Sequence, residues 1–179
     1  MKKLYLLRHG QTEFNVKKLV QGRCDSPLTD LGRQQAGMAA AWLKGHGVVP
    51  DKVVSSSLGR AMDTAQLVAC ELLGPDAAAE PCEGIIERCY GTFEEGPHDE
   101  LPTDVWDPGE DLVPFGGEGS HALQERMVGT LTNIMGAEGI ETLLAVSHGS
   151  ASRQFIRAAA PEGFELPTKL PNCAIMIFD

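Results

Sequence analysis

The sequence predicts an α/β fold, a three-layer α/β/α sandwich built on a mainly parallel central sheet. Three observations carry this. Apolar runs recur at Lys3–Arg8, Lys52–Ser55, Thr142–Ser147 and Cys173–Phe178, each nearly continuous, as in strands buried on both faces. Stretches of helical periodicity lie between them, and strands alternating with helices fold into a sheet covered on both sides. The length of 179 residues matches one domain, residues 1–179. A chain of this size buries roughly 70% of the surface its unfolded form exposes, so a core forms without metals or disulfides.

Taken in order, the first strand has only Leu4 to Leu7 as its apolar run. That is too short for a secretory h-region, and Arg8-His9 ends it. Asp30 is a candidate cap for a helix to about His46, with Leu31, Met38, Ala39, Trp42 and Leu43 on its inner face and Gly45 or Gly47 closing it. Leu58 to Leu73 reads as a second helix, stopped by Gly74-Pro75. Ser120 to Met135 sets Leu123, Met127, Leu131, Ile134 and Met135 on one stripe. Gly149 to Ala160 supplies a last helix, ending at Pro161.

With 15 basic against 25 acidic residues the chain carries a net charge of −10. Such a surface repels nucleic acid and anionic lipid, so neither is an expected partner, and an anionic ligand must be held by a local basic site. No stretch approaches the roughly eighteen apolar residues of a membrane span. Five cysteines, an odd number without a C-x-x-C pair, fit reduced thiols in a cytoplasmic protein. Neither Cys nor His falls at zinc-ligand spacing, and no metal or other cofactor is expected.

One segment departs in composition. No Lys or Arg lies between Arg88 and Arg126, while residues 89–120 hold nine acids and four prolines. A long, mostly irregular excursion is predicted, with one short helix near Asp99–Val105 and with Trp106 and Phe115 to anchor it. The insertion at about 92–119 is read as an ordered acidic lid.

The reactive residues cluster by position. The first strand runs into Arg8-His9-Gly10, the second into Ser55-Ser56-Ser57-Leu58-Gly59-Arg60, and the third into Ser147-His148-Gly149. Carboxyl ends of parallel strands share one edge, where ligands of open α/β folds bind. Two histidines and two arginines therefore converge there, with Gly10 and Gly149 relieving crowding and the helix from Gly149 presenting its positive end. Guanidinium forks, imidazoles and free N–H groups describe a site for phosphate or another oxyanion. A lone histidine after a strand is ordinarily structural, and each arginine alone reads as a surface ion-pair partner; the coincidence of four is what points to the anion site.

Arg8-His9-Gly10-Gln11-Thr12-Glu13-Phe14-Asn15 closely resembles the R-H-G-[EQ]-T-x-x-N signature of the histidine phosphatase (phosphoglycerate mutase-like) superfamily. The resemblance continues through Asp25 to Gly32, Ser56 to Ala65, Glu87-Arg88-Cys89-Tyr90-Gly91, Gly116-Gly117-Glu118 and Ser147-His148-Gly149, in family order over essentially the whole chain. It implies a phosphoglycerate mutase-like fold and a phosphohistidine intermediate on His9. Arg8, Arg60 and His148 would surround the phosphoryl oxygens in place of a metal clamp, and Asn15 would add a neutral hydrogen bond. Gln21 and Gly22 match positions lining the phosphate pocket, and Gly10, Tyr90 and Gly149 complete the binding set. Glu87 matches the general acid, which a neighbouring phosphate dianion keeps protonated and which then activates water.

The resemblance implies either a phosphatase or a mutase. Glu87-Arg88-Cys89-Tyr90-Gly91 looks like the mutase version E-R-H-Y-G with Cys89 in place of the histidine. The insertion that follows is short and without basic residues to hold a substrate carboxylate. The expectation is thus a metal-independent phosphatase acting on a small phosphorylated metabolite whose remainder is neutral or cationic. Mutase-type transfer, hydrolysis of protein phosphohistidine and non-catalytic binding of a phosphorylated ligand are the alternatives. His46, His98 and His121 are expected to face solvent, Cys89 to serve packing, and Trp42 to belong to the core. The quaternary state is not legible.

Overall fold

The computed structural model describes residues 1–179. Its sheet runs β3 (Glu80–Pro81), β2 (Lys52–Ser55), β4 (Thr142–Ser147), β1 (Lys3–Arg8), β5 (Ile175–Phe178), with β5 antiparallel and the rest parallel. Alternation of side chains along each strand builds two cores. Tyr5, Leu7, Val53, Leu144 and Val146 face α2 (Asp30–Gly45) and α3 (Gly59–Leu73). Leu4, Leu6, Val54, Leu143 and Ala145 face α4 (Ser120–Gly136) and α5 (Gly149–Ala159). This is the three-layer arrangement the apolar runs predict, and no helix is long and apolar enough to cross a membrane.

Several local expectations are corrected. The N-cap of α2 is Thr29, whose hydroxyl accepts the Gly32 N–H at 3.0 Å, while Asp30 is the first helical residue. Leu31, Met38 and Trp42 are exposed, Met38 by 72% and Trp42 by 41%. The buried face of α2 consists instead of Gly32, Ala36, Ala39, Ala40 and Leu43, against Ala61, Ala65 and Ala69 of α3. Small residues let the two helix backbones approach closely, so the large side chains at helical spacing point away. Trp42 stacks on His46 with ring centroids 3.8 Å apart and is not core. The last strand begins at Ile175, because Cys173 has φ +56 and donates its N–H to the His9 carbonyl at 3.3 Å. A short helix α1 (Glu13–Lys17), closed by a Thr12/Asn15 capping box, and the two-residue β3 are additional.

From Arg88 to Ser120 the chain is irregular, with 3-10 turns at Gly91–Phe93, His98–Glu100 and Val113–Phe115. The helix expected over Asp99–Val105 is only the His98–Glu100 turn; Pro102 lacks the N–H a continuing helix would use. The segment has a small core of its own, with Tyr90, Leu101 and Leu112 buried against Val20. Arg88, fully buried, ties its two ends together. Its guanidinium donates to Ser150 Oγ at 2.9 Å, Ser120 Oγ at 2.8 Å, and the carbonyls of Glu118 and Gly109 at 2.7 and 3.2 Å.

Candidate active site

Because β4 lies between β1 and β2, the residues just past these strands meet at one edge: His9, Ser56 and His148. The His9 and His148 rings meet edge to face, centroids 5.1 Å apart. His9 Nδ1 lies 2.7 Å from the Gly10 carbonyl. A carbonyl only accepts, so Nδ1 carries the proton and Nε2 keeps its lone pair. The loop is pinned so that this bond holds: Gly10 N–H donates to Thr64 Oγ1 at 3.1 Å, and a Cβ at Gly10 would run into the Gly32 carbonyl.

Burial, reinforced by the Arg60 and Arg8 charges, holds the His9 imidazole well below the ordinary histidine range. His148 is held down in the same way by burial, Arg60, His9 and Arg8. Burial also pushes the Arg8 guanidinium down to about 10. The two imidazoles are neutral in the folded protein and gain protons in the unfolded chain below about pH 6.5. The unfolded state then binds more protons, so stability falls as pH drops through that value, by up to about 1.4 kcal/mol per pH unit for each ring. Urea midpoints taken from pH 7.5 to 5.5 are expected to decline steadily; a level midpoint would show that the rings protonate freely in the native state.

Arg60 is fully buried. It donates to the carbonyls of Gly22 and Cys24 at 2.7 and 2.8 Å and pairs with Asp25 at 2.8 Å. Arg8 donates to the Leu170 carbonyl and lies beneath Trp106, its Cζ 5.0 Å from the ring centroid. Ser56 Oγ is 2.7 Å from His148 Nε2. After these bonds, Arg8 Nε, Arg60 Nε and His148 Nδ1 remain buried without a protein partner. Buried polar nitrogens are ordinarily paired, and three orphans around one imidazole mark a place for an anion.

A cavity of about 50 Å³ lies at His9, lined also by Arg8, Asn15, Gln21, Glu87, Tyr90, Gly149 and Ser150 and by Leu19, His98, Val105 and Trp106. A larger cavity, about 810 Å³, is an apolar one between α4, α5 and β5 and holds none of these groups. Glu87 is buried, with Oε1 accepting the Arg88 and Ala151 N–H groups at 2.7 and 2.9 Å and Oε2 the Ser150 N–H at 3.1 Å. Each carboxylate oxygen accepts about two hydrogen bonds, so Oε2 keeps a free position. The positive end of α5 therefore holds Glu87, whereas the sequence reading directs it at the phosphate. Asn15 Oδ1 accepts from Thr12 N–H and Asn172 Nδ2 at 3.2 and 3.1 Å, which leaves its Nδ2 to donate into the cavity. Gln21 bridges Thr12 and Ser26 at 2.8 and 2.9 Å. The Tyr90 hydroxyl donates to the Val105 carbonyl at 2.7 Å, and burial pushes its phenol up.

Of the residues singled out from sequence, Arg8, His9, Asn15, Gln21, Glu87, Tyr90 and Gly149 line the cavity. Arg60 and His148 are fully buried beside it, and Gly10 and Gly22 act through their backbones. Four participants escape the sequence reading. Ser56 orients His148, and Asn172 donates to the His9 carbonyl at 3.2 Å. Trp106 covers Arg8. His98, expected in solvent, is half-buried in the cavity lining, and its Nε2 donates to the Leu19 carbonyl at 3.0 Å. Ser56 follows a strand end and was within reach of the same argument that found His148. The other three are placed by contacts far along the chain that no local pattern encodes.

Comparison with known proteins identifies the family. The family model of the histidine phosphatase superfamily (branch 1) matches residues 4–179. The "Broad-specificity phosphatase YOR283W" of Saccharomyces cerevisiae is 33% identical over 158 residues, covering 87% of this chain and 69% of that protein. The "Probable phosphoglycerate mutase GpmB" of Cronobacter sakazakii is 32% identical, covering 100% of this chain and 85% of that one. Among solved structures, Bacillus stearothermophilus YhfR superposes with a TM-score of 0.85 at 28% identity, covering 100% and 91% of the two chains. Phosphoserine phosphatase from Entamoeba histolytica, in complex with 3-phosphoglyceric acid, gives 0.80 at 31% identity with the same coverage. With its family model matched from the first strand to the last residue, the chain belongs to the histidine phosphatase superfamily.

Proposed function

We propose that this protein is a metal-independent phosphomonoesterase that works through a phosphohistidine on His9 and acts on a small phosphorylated metabolite. The observation that carries the reading is the bond from His9 Nδ1 to the Gly10 carbonyl, which leaves a neutral Nε2 lone pair beside Arg8 and Arg60. In the first step Nε2 forms the N–P bond as the ester P–O bond breaks, and the leaving oxygen takes a proton from Glu87 Oε2. Arg8, Arg60, Asn15 Nδ2 and, with the Ser56 hydroxyl donating to Nε2, His148 Nδ1 stabilise the phosphoryl oxygens in transit. In the second step Glu87 accepts a proton from water as its oxygen bonds phosphorus, the N–P bond breaks and phosphate leaves.

The cavity lining narrows the substrate. Leu19, Val105 and Trp106 offer apolar surface, Gln21 and His98 neutral polar groups, and the acidic segment above holds no cation. An ester with a neutral or cationic alcohol part fits this lining; a multiply anionic one loses solvation without gaining a partner. A mutase reading has its own support in the likeness to proteins named as phosphoglycerate mutases. The deciding assay is phosphate release from p-nitrophenyl phosphate and a panel of natural monoesters between pH 5 and 8 with EDTA present, alongside 3-phosphoglycerate exchange. Metal-independent release with a preference for neutral alcohols is expected. Silence on every ester from folded protein, with exchange intact, would establish the mutase instead.

A further inference from the structure

The segment Val105–Asp107 is tied down at three successive residues. The Val105 carbonyl takes the Tyr90 hydroxyl at 2.7 Å. Trp106 lies over the Arg8 guanidinium and against Gly149, where a Cβ would stand 2.7 Å from Cζ3. Asp107 accepts from both terminal nitrogens of Arg157, one at 3.2 Å, from Gln154 Nε2 at 3.2 Å, and lies 3.9 Å from Arg153 NH2. It is the sole ion-pair partner of either arginine, both of which belong to α5. The Asp107 carboxyl is held below its usual range chiefly by the hydrogen bond from Arg157.

We propose that Asp107 is a positioning residue: its latch onto α5 holds the Trp106 indole against Arg8 and so fixes Arg8 for the bound anion. Arg8 is otherwise anchored only through its bond to the Leu170 carbonyl, and its Nε has no protein partner. An indole face attracts the guanidinium and keeps water from it, a contribution equivalent to about twofold in affinity for an exposed pair and about thirtyfold for a desolvated one. The latch itself is partly exposed, Asp107 by 27% and Arg157 by 43% of its side chain. Ion pairs at such exposure are weak.

The phosphoryl-transfer reading enters only in naming the anion, so binding of inorganic phosphate tests the latch whether or not any ester turns over. With two tryptophans in the chain, a Trp42→Phe background leaves Trp106 as the only indole reporter. In it, Asp107→Asn and Arg157→Met are each expected to weaken phosphate binding, read by Trp106 fluorescence, about three- to tenfold. The double variant is expected to be no worse than either single, since both break one latch. Asp107→Glu should recover most of the affinity, and the melting temperature should move little. Trp106→Ala, which lacks the indole reporter and is therefore titrated with phosphate by calorimetry and checked for folding by circular dichroism, should match or exceed the Asp107→Asn loss. Unchanged phosphate affinity in folded Asp107→Asn, or losses that simply add in the double variant, would overturn the proposal. If Asp107→Asn does not fold, Arg157→Met decides by the same readout.

Discussion

His9→Ala is expected to release phosphate from p-nitrophenyl phosphate at least about 10⁴-fold more slowly than wild type, the scale on which hydrolases lose activity with their nucleophile. The size follows from the absence of a substitute. The second imidazole, His148, has Nε2 engaged by the Ser56 hydroxyl at 2.7 Å and carries its proton on Nδ1, so it has no free lone pair to attack phosphorus. Arg8 and Arg60 remain to bind phosphate, so the variant should keep its affinity for the anion while losing turnover. Wild type quenched in mid-turnover should carry an acid-labile, base-stable phosphoryl group that His9→Ala lacks. A variant retaining a tenth of wild-type kcat would mean that water attacks the ester directly and that His9 only binds.

What the sequence made legible, and what it did not, divides along physical lines. Strand ends are local events: an apolar run stops, and Arg8-His9, Ser55-Ser56 and Ser147-His148 must stand at the sheet edge once the strands are parallel. Glu87 has no such signal. It follows a 3-10 turn, and its position depends on N–H groups more than sixty residues away at Ser150 and Ala151, so only the family resemblance singled it out. Periodicity misled at α2 because it counts large apolar residues, whereas most of the contact with α3 is made by alanines. Trp106 and His98 sit in a segment whose shape comes from scattered long-range bonds, such as Tyr90 to Val105 and His98 to Leu19, which leave no period to read.

Glu87→Gln should separate the two steps of the reaction by leaving group. An alkoxide is a poor leaving group without a proton, so hydrolysis of an alkyl monoester should fall by about 10²–10⁴ in kcat. Nitrophenolate leaves unaided, so phosphorylation of His9 by p-nitrophenyl phosphate should slow far less. The second step still lacks its base, and the variant should give a burst of nitrophenolate stoichiometric with enzyme while phosphohistidine accumulates. The amide can keep the Arg88 and Ala151 N–H bonds through its oxygen, but its NH₂ then faces the Ser150 N–H, donor against donor. Some loosening at the start of α5 is therefore expected as a lower melting temperature, common to all substrates. Only a catalytic proton makes the loss depend on the alcohol. Equal losses on alkyl and aryl esters with no burst would assign Glu87 to holding α5 and leave the leaving group's proton to come from elsewhere.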